Sequence, residues 1–176
     1  LPVLKANNYA VDDNTQNVVN SKEDTSKKII RVTDRKIKEW TFSDQKADEI
    51  IISNSVEEIE QSAFRGCEVG KITFEKGSKL EKIVWSVFQG AIIGEIEIPA
   101  SVGKIEHSAF SYCKVGKITF EKGSKLNKIV LPSLFWGGEV GKIEIPASVA
   151  EIGDSSVEER AEYGFEGFKV GKITFE

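Results

Sequence analysis

The 176-residue sequence predicts a repeat solenoid, a stack of short coils built on a parallel β-sheet. Three observations predict it. The first is a fixed period. Residues 95–113, Glu-Ile-Glu-Ile-Pro-Ala-Ser-Val-Gly-Lys-Ile-Glu-His-Ser-Ala-Phe-Ser-Tyr-Cys, have a counterpart at residues 49–67, and the stretch begins again at Lys142. Glu49 to Glu95, Cys67 to Cys113 and Val69 to Val115 are each 46 residues apart. The second is an interleaved unit, Val-Gly-Lys-Ile-Thr-Phe-Glu-Lys-Gly-Ser-Lys-Leu, at Val69 and Val115, which starts once more at Val170. Ile72 to Ile96 is 24 residues and Ile96 to Ile118 is 22, so the unit is near 23 and is used as an alternating pair. A coil of that length cannot bury its apolar side alone and needs neighbours above and below. The third is the apolar pattern inside each unit. Ile96 and Ile98 alternate with Glu97, and Ile72 and Phe74 with Lys71, Thr73 and Glu75, which is the period of a half-buried strand.

In chain order, residues 1–28 are polar and carry no repeat; they are expected to be an N-terminal cap over the first coil or a flexible leader. Residues 29–176 are expected to form about six coils. Residues 29–48 make a degenerate first coil, in which Ile37 answers Ile83 and Phe42 answers Phe88, both at 46 residues. Residues 49–68, 69–94, 95–114 and 115–141 are four regular coils. In each, a strand stops at a turn, marked by Pro99 in one kind of coil and by Gly77 or Gly123 in the other. A short apolar pair follows (Val102 and Ile105, or Leu80 and Ile83), and then Ala109-Phe110 or Val87-Phe88 closes the coil. Phe64, Phe88, Phe110 and Phe135 are expected to stack in the core. The Val-Gly-Lys-Ile segments are taken as recurring turns without a phosphate-loop pattern. Residues 142–169 form a fifth coil with eight added residues at 153–163, where Ser155 and Glu158 have capping-box spacing and predict a short protruding helix. The chain starts Leu1-Pro2, contains no methionine and ends at Phe175-Glu176 in mid-coil, so a trimmed N-terminus and a truncated C-terminus are expected.

The order Ile-x-Ile-Pro-x-x-Val-x-x-Ile-x-x-x-Ala-Phe-x-x-Cys, present from Ile96 to Cys113, resembles the BspA-like, or Treponema-type, leucine-rich repeat. The likeness runs from about Ile37 to Glu176. It implies a leucine-rich-repeat-like, right-handed superhelix with a parallel sheet on its concave face and short strands, turns and helical segments elsewhere. It also implies a cell-surface or secreted protein that binds other proteins. Two features depart from the pattern: the Thr-Phe-Glu-Lys-Gly turn of every second coil, and the insertion in the fifth.

Composition narrows the classes. A net charge of −4 with lysines spread along the chain gives no footprint for nucleic acid. No apolar run approaches the roughly 20 residues needed to span a bilayer. Cys67 and Cys113 sit at equivalent places two coils apart, roughly 10 Å at about 4.8 Å per coil. A disulfide reaches about 7 Å between Cα atoms, so two free, buried thiols are expected.

No catalytic residue, metal ligand or cofactor is expected. The lone histidine, His107, has Gln61 as its repeat mate, which suits a solvated turn residue. Glu95, Glu97 and Glu144 could pair as acids for glycoside cleavage, but each faces Lys or Thr in adjacent coils, and charge pairing across strands is preferred. Asp154, Glu158, Glu159 and Glu162 suit a solvated acidic helix face better than a calcium site. Trp85 and Trp136 fall where the coil turns and are read as corner packing, with interface anchoring as the alternative. Side chains between buried ones must face outward. That makes Lys71, Glu95, Lys117 and Lys142 one exposed row, and Thr73, Glu97, Thr119 and Glu144 another. Lys71, Glu95 and Lys117 alternate in sign and can pair, leaving a basic bias at the C-terminal end. These eight residues are the candidate protein-binding face, for adhesion or host or matrix recognition. The alternatives are a structural spacer that self-associates through open solenoid ends, and, less favoured, a polysaccharide-binding or polysaccharide-acting protein.

Overall fold

A computed structural model describes residues 26–152 and 168–176. The chain winds through β1 (Ile29–Val32), β2 (Lys36–Ile37), β3 (Lys46–Ile52), β4 (Glu58–Ile59), β5 (Glu68–Phe74), β6 (Lys82–Ile83), β7 (Ile92–Ile98), β8 (Lys104–Ile105), β9 (Lys114–Phe120), β10 (Lys128–Ile129), α1 (Leu131–Leu134), β11 (Glu139–Ile145), β12 (Glu151–Ile152) and β13 (Lys169–Phe175). The odd-numbered strands form one seven-stranded parallel sheet in sequence order. The protein is therefore the parallel β-solenoid of about six coils that the period predicts.

Register follows the repeat residue by residue. Ile30, Ile50, Ile72, Ile96, Ile118, Ile143 and Ile173 face one another in turn across the sheet. All are buried except Ile173, on the last strand, which is half-buried. On a parallel sheet such an in-register ladder buries each β-branched side chain against identical neighbours. The phenylalanines form a second ladder. Phe42, Phe64, Phe88, Phe110, Phe135 and Phe168 stack with ring centroids 4.9, 5.2, 4.9, 5.4 and 5.4 Å apart. Cys67 and Cys113 are free and buried beside it. Burial pushes both thiols up from 9.0 to about 12, and the Cys113 thiol donates to the Phe88 carbonyl at 2.6 Å.

The alternating coil lengths have a structural counterpart at the prolines. In the pairs β3–β5, β7–β9 and β11–β13 the ladder closes at its end, where Glu75 N–H donates to Ile52 O at 2.9 Å, Glu121 to Ile98 at 2.8 Å and Glu176 to Ile145 at 3.1 Å. In β5–β7 and β9–β11 the register stops two residues earlier, at Ile72–Ile96 and Ile118–Ile143. The residues due to donate there are Pro99 and Pro146, which have no N–H. Ser53 holds the same place in the β3 coil; its N–H donates to Val32 O at 2.9 Å, and the β1–β3 ladder runs to its end. The short strands show the same pairing by twos, β2–β4, β6–β8 and β10–β12. Across each break the chain carries the longer Glu-Lys-Gly-Ser-Lys turn.

Some local expectations change. The Val-Gly-Lys-Ile segments are not turns but lie inside the sheet strands, each with its glycine unpaired between two registered residues. Only the second member of each apolar pair after the turns, Ile83 or Ile105, lies in a two-residue strand, together with the lysine before it. The one added residue of the fourth coil turns its corner into α1, which starts with a proline in its first turn and buries Leu131 and Leu134. The insertion at 153–163, with its acids and predicted helix, and residues 1–25 of the proposed cap or leader lie outside the described residues.

Candidate functional site

Between the inward isoleucines each strand turns side chains out of the sheet, and the repeat lines them up. Glu49, Lys71, Glu95, Lys117, Lys142 and Lys172 stand opposite one another in register. On the other side of the isoleucine ladder, Glu97 faces Thr119 and Glu144 faces Thr174. The steps from Thr73 to Glu97 and from Thr119 to Glu144 fall at the proline seams, where the ladder has ended. All eight candidate residues are exposed or half-buried.

The charges do not pair as the alternation of signs suggests. Among the described residues neither Lys71 nor Glu95 forms an ion pair. Glu144 instead takes the two candidate lysines of the C-terminal half, Lys142 at 2.6 Å along its own strand and Lys117 at 3.5 Å on the diagonal. The Lys142 hydrogen bond, aided by Lys117, holds the Glu144 carboxyl below the usual carboxylate range. The Thr73 hydroxyl donates to the Glu49 carboxylate. The cause is reach. A lysine stem spans a diagonal, so the nearest opposite charge need not be the one directly across.

Charge is segregated along the face. β3, β5 and β7 together carry two lysines and five acids, a net of −3. β9, β11 and β13 carry five lysines and two acids, a net of +3. A basic C-terminal half is as expected; an acidic N-terminal half of equal size is an addition.

A further exposed row escapes simple alternation: Lys46, Glu68, Ile92, Lys114, Glu139 and Lys169. Lys46 pairs with Glu68 at 2.7 Å and Lys169 with Glu139 at 3.3 Å, while Ile92 is 49% exposed. This row exists because the inward Val69 and Ile72 are three apart rather than two. The glycine between them resets the pleat, and an unpaired residue in a strand does this as a bulge does. The signal was present in the sequence as one glycine at a constant place in five successive sheet strands, Gly70, Gly94, Gly116, Gly141 and Gly171, with Asp48 at that place in β3.

That glycine shapes the face. A Cβ at Gly94 would fall 2.3 Å from the Gly70 carbonyl oxygen, and one at Gly116 2.5 Å from that of Gly94. The coils stack too closely here for any side chain. The result is a shallow groove of about 510 Å³ with a floor of Gly94, Gly116, Gly141 and Gly171, crossing β7, β9, β11 and β13.

The aromatic corner is more exposed than corner packing predicts. Trp85 is 47% exposed, so it is not a packing residue, and Trp136 is half-buried. Trp40, which sequence reasoning missed, is 48% exposed and lies 5.3 Å from the Arg65 guanidinium. Tyr112 is 57% exposed and its ring lies over Gly137. His107 is exposed. Among the described residues no group of three or more His, Cys, Asp or Glu is placed to hold a metal ion, and no helix is long and apolar enough to cross a membrane.

Comparison with known proteins agrees with this geometry. The signature described as BspA type Leucine rich repeat region matches residues 35–161, in six copies. Among solved structures, the pneumococcal vaccine antigen PcpA is similar, with 28% identity and a TM-score of 0.64. The match covers 80% of this chain and 36% of that one, so this chain spans about a third of that antigen's length. No curated protein matches.

Proposed function

The chain belongs to the BspA-type leucine-rich repeat family, and on that premise we propose that it is a recognition module, displayed at a cell surface or secreted, that binds another protein through its sheet face. The observation that carries this reading is the charge segregation along the sheet face, −3 over β3, β5 and β7 and +3 over β9, β11 and β13. Solubility alone calls for interspersed charge; a field that changes sign along one flat surface steers a partner and fixes its orientation. The similarity to a vaccine antigen supports display, since antibodies must reach such a protein. Lys117 and Lys142 are the contacts assigned to a partner's acidic patch, with Thr119 and Glu144 beside them on the same face. Lys71, Thr73, Glu95 and Glu97 set its register. The host or matrix identity of that partner is part of the proposal. The experiment is a binding screen against extracellular-matrix and serum proteins, followed by Lys117→Glu with Lys142→Glu. Binding to a retained partner should weaken and lose its salt dependence. A folded double variant with unchanged affinity and salt slope would sink the reading.

A second reading has its own observation. The last strand, β13, leaves Phe175 68% and Val170 37% exposed. End-to-end stacking of coils on a second copy would cover both side chains. Light scattering separates the two, because stacking raises the mass with concentration and is indifferent to the lysine substitutions.

A further inference from the structure

We propose that the glycine-floored groove on the basic half of the sheet takes one extended, acidic polypeptide segment, lying across the strands. The inference deepens the sheet-face reading and rests on it. Three observations carry it.

The first is shape. The floor is two residues wide and bare of outward side chains, because each glycine follows a residue on the inward ladder, as in Ile93-Gly94 and Val115-Gly116. Its walls rise from residues three apart on each strand, roughly 10 Å between Cα atoms before the side chains narrow it. A helix about 10 Å across does not enter. A single extended chain does, and the four strands crossed span about 14 Å, enough for four or five residues at about 3.3 Å each.

The second is charge. The groove's charged lining is Lys114, Lys169 and Glu139; three of its four floor glycines lie within strands β9, β11 and β13, whose net charge is +3, and its β7 end adjoins the strands that carry −3. An acidic segment is attracted to one half and repelled from the other. Lys114 and Lys172 have no ion-pair partner among the described residues, so their charges are available without breaking an existing pair.

The third is Ile92, an apolar side chain 49% exposed at the β7 end of the groove. It suits a segment whose acidic run carries an apolar side chain on that side. A polysaccharide is disfavoured, because no aromatic ring lines the groove to stack on a sugar. A nucleic acid is disfavoured by the acidic half and the same lack of rings.

The test is amide NMR of the isotopically labelled chain titrated with poly-L-glutamate at low salt, with heparin as a parallel arm. The expected result is a shift of the Gly94, Gly116, Gly141 and Gly171 amides while Gly70 stays in place, reversed by salt. Lys114→Glu with Lys169→Glu should weaken binding at least tenfold with an unchanged circular dichroism spectrum and melting curve. If the Lys117 and Lys142 amides move while the four glycines do not, the groove assignment is overturned and the sheet-face reading survives. Tighter binding of heparin at the same glycines overturns the polypeptide assignment. No movement anywhere on the face overturns the inference outright.

Discussion

The Phe110 ring lies between Phe88 at 4.9 Å and Phe135 at 5.4 Å and is fully buried. Truncating it removes dispersion contacts on both sides and leaves a cavity that the neighbouring coils cannot close. Phe110→Ala should cost about 3–5 kcal/mol, measured by denaturant unfolding. This ladder was legible because Phe recurs at one place in each coil. The backbone around it was not. Two residues before the phenylalanine, Trp40, Ser62, Ser86 and Ser108 take positive φ; two residues after it the same region is served by glycine at Gly66, Gly90 and Gly137 but by Asp44 at φ 55° and Tyr112 at φ 56°. Gly90 has φ 70° and nothing within 4 Å of a Cβ, so Gly90→Ala isolates backbone strain and should cost about 1 kcal/mol. Tyr112→Gly should raise stability by a similar amount, since the ring is mostly in solvent. A loss instead would show that its contact with Gly137 outweighs the strain. The two thiols give a pH test. Their folded pKa values are raised, so the stability they contribute is fully present below the unfolded value of 9.0 and is lost as pH rises towards about 12. Unfolding free energy should fall above pH 9 more steeply in the native chain than in a variant carrying Cys67→Ala and Cys113→Ala. The difference should be on the order of 1 kcal/mol per thiol per pH unit.

At the scale of the strand, one glycine decides which side chains reach solvent. Gly116→Ala places a Cβ 2.5 Å from the Gly94 carbonyl oxygen, backbone against backbone, with no flexible group to yield. We expect a loss of about 3 kcal/mol, at the upper end of overpacking. Gly103→Ala, with nothing within 4 Å, should be neutral within about 1 kcal/mol. Equal melting temperatures for the two variants would mean the coils can spread at the glycines. The inward faces of the strands were readable from the sequence because isoleucine alternates with polar residues around Ile72 and Ile96. The outer row at Ile92 and Lys114 was not, because counting by twos fails at an unpaired residue. The ion pairs were not readable either. Lys117 meets Glu144 through a diagonal that depends on rotamers, and sequence alignment supplies only the residues directly across.

Over the whole molecule, the period, the parallel sheet and the order of its strands were all implied by a 46-residue repeat, because each coil must find its neighbour in sequence. The separation of charge into two halves was half-read: the lysines of the last strands stood out, while the acids of β3, β5 and β7 were counted singly and not summed. Trp85 is more exposed than the corner packing expected of it, and Trp40, equally exposed, was not singled out in the sequence because it lies in the degenerate first coil.

The proline seams make the solenoid mechanically uneven. Under tension applied at the two ends, a parallel ladder yields where it carries the fewest hydrogen bonds, and these places are β5–β7 and β9–β11. The two seams divide the sheet into β1–β3–β5, β7–β9 and β11–β13, so the chain should extend block by block, and the β7–β9 block between the seams should release the 46 residues from Glu75 to Glu121, or roughly 160 Å of contour at about 3.5 Å per residue. Single-molecule stretching that shows uniform one-coil steps of half that length would mean that the missing N–H groups of Pro99 and Pro146 carry no mechanical weight. If the block-sized steps are seen, a protein of this build gives way under load block by block, shedding one while the rest of the stack stays folded and its face remains presented.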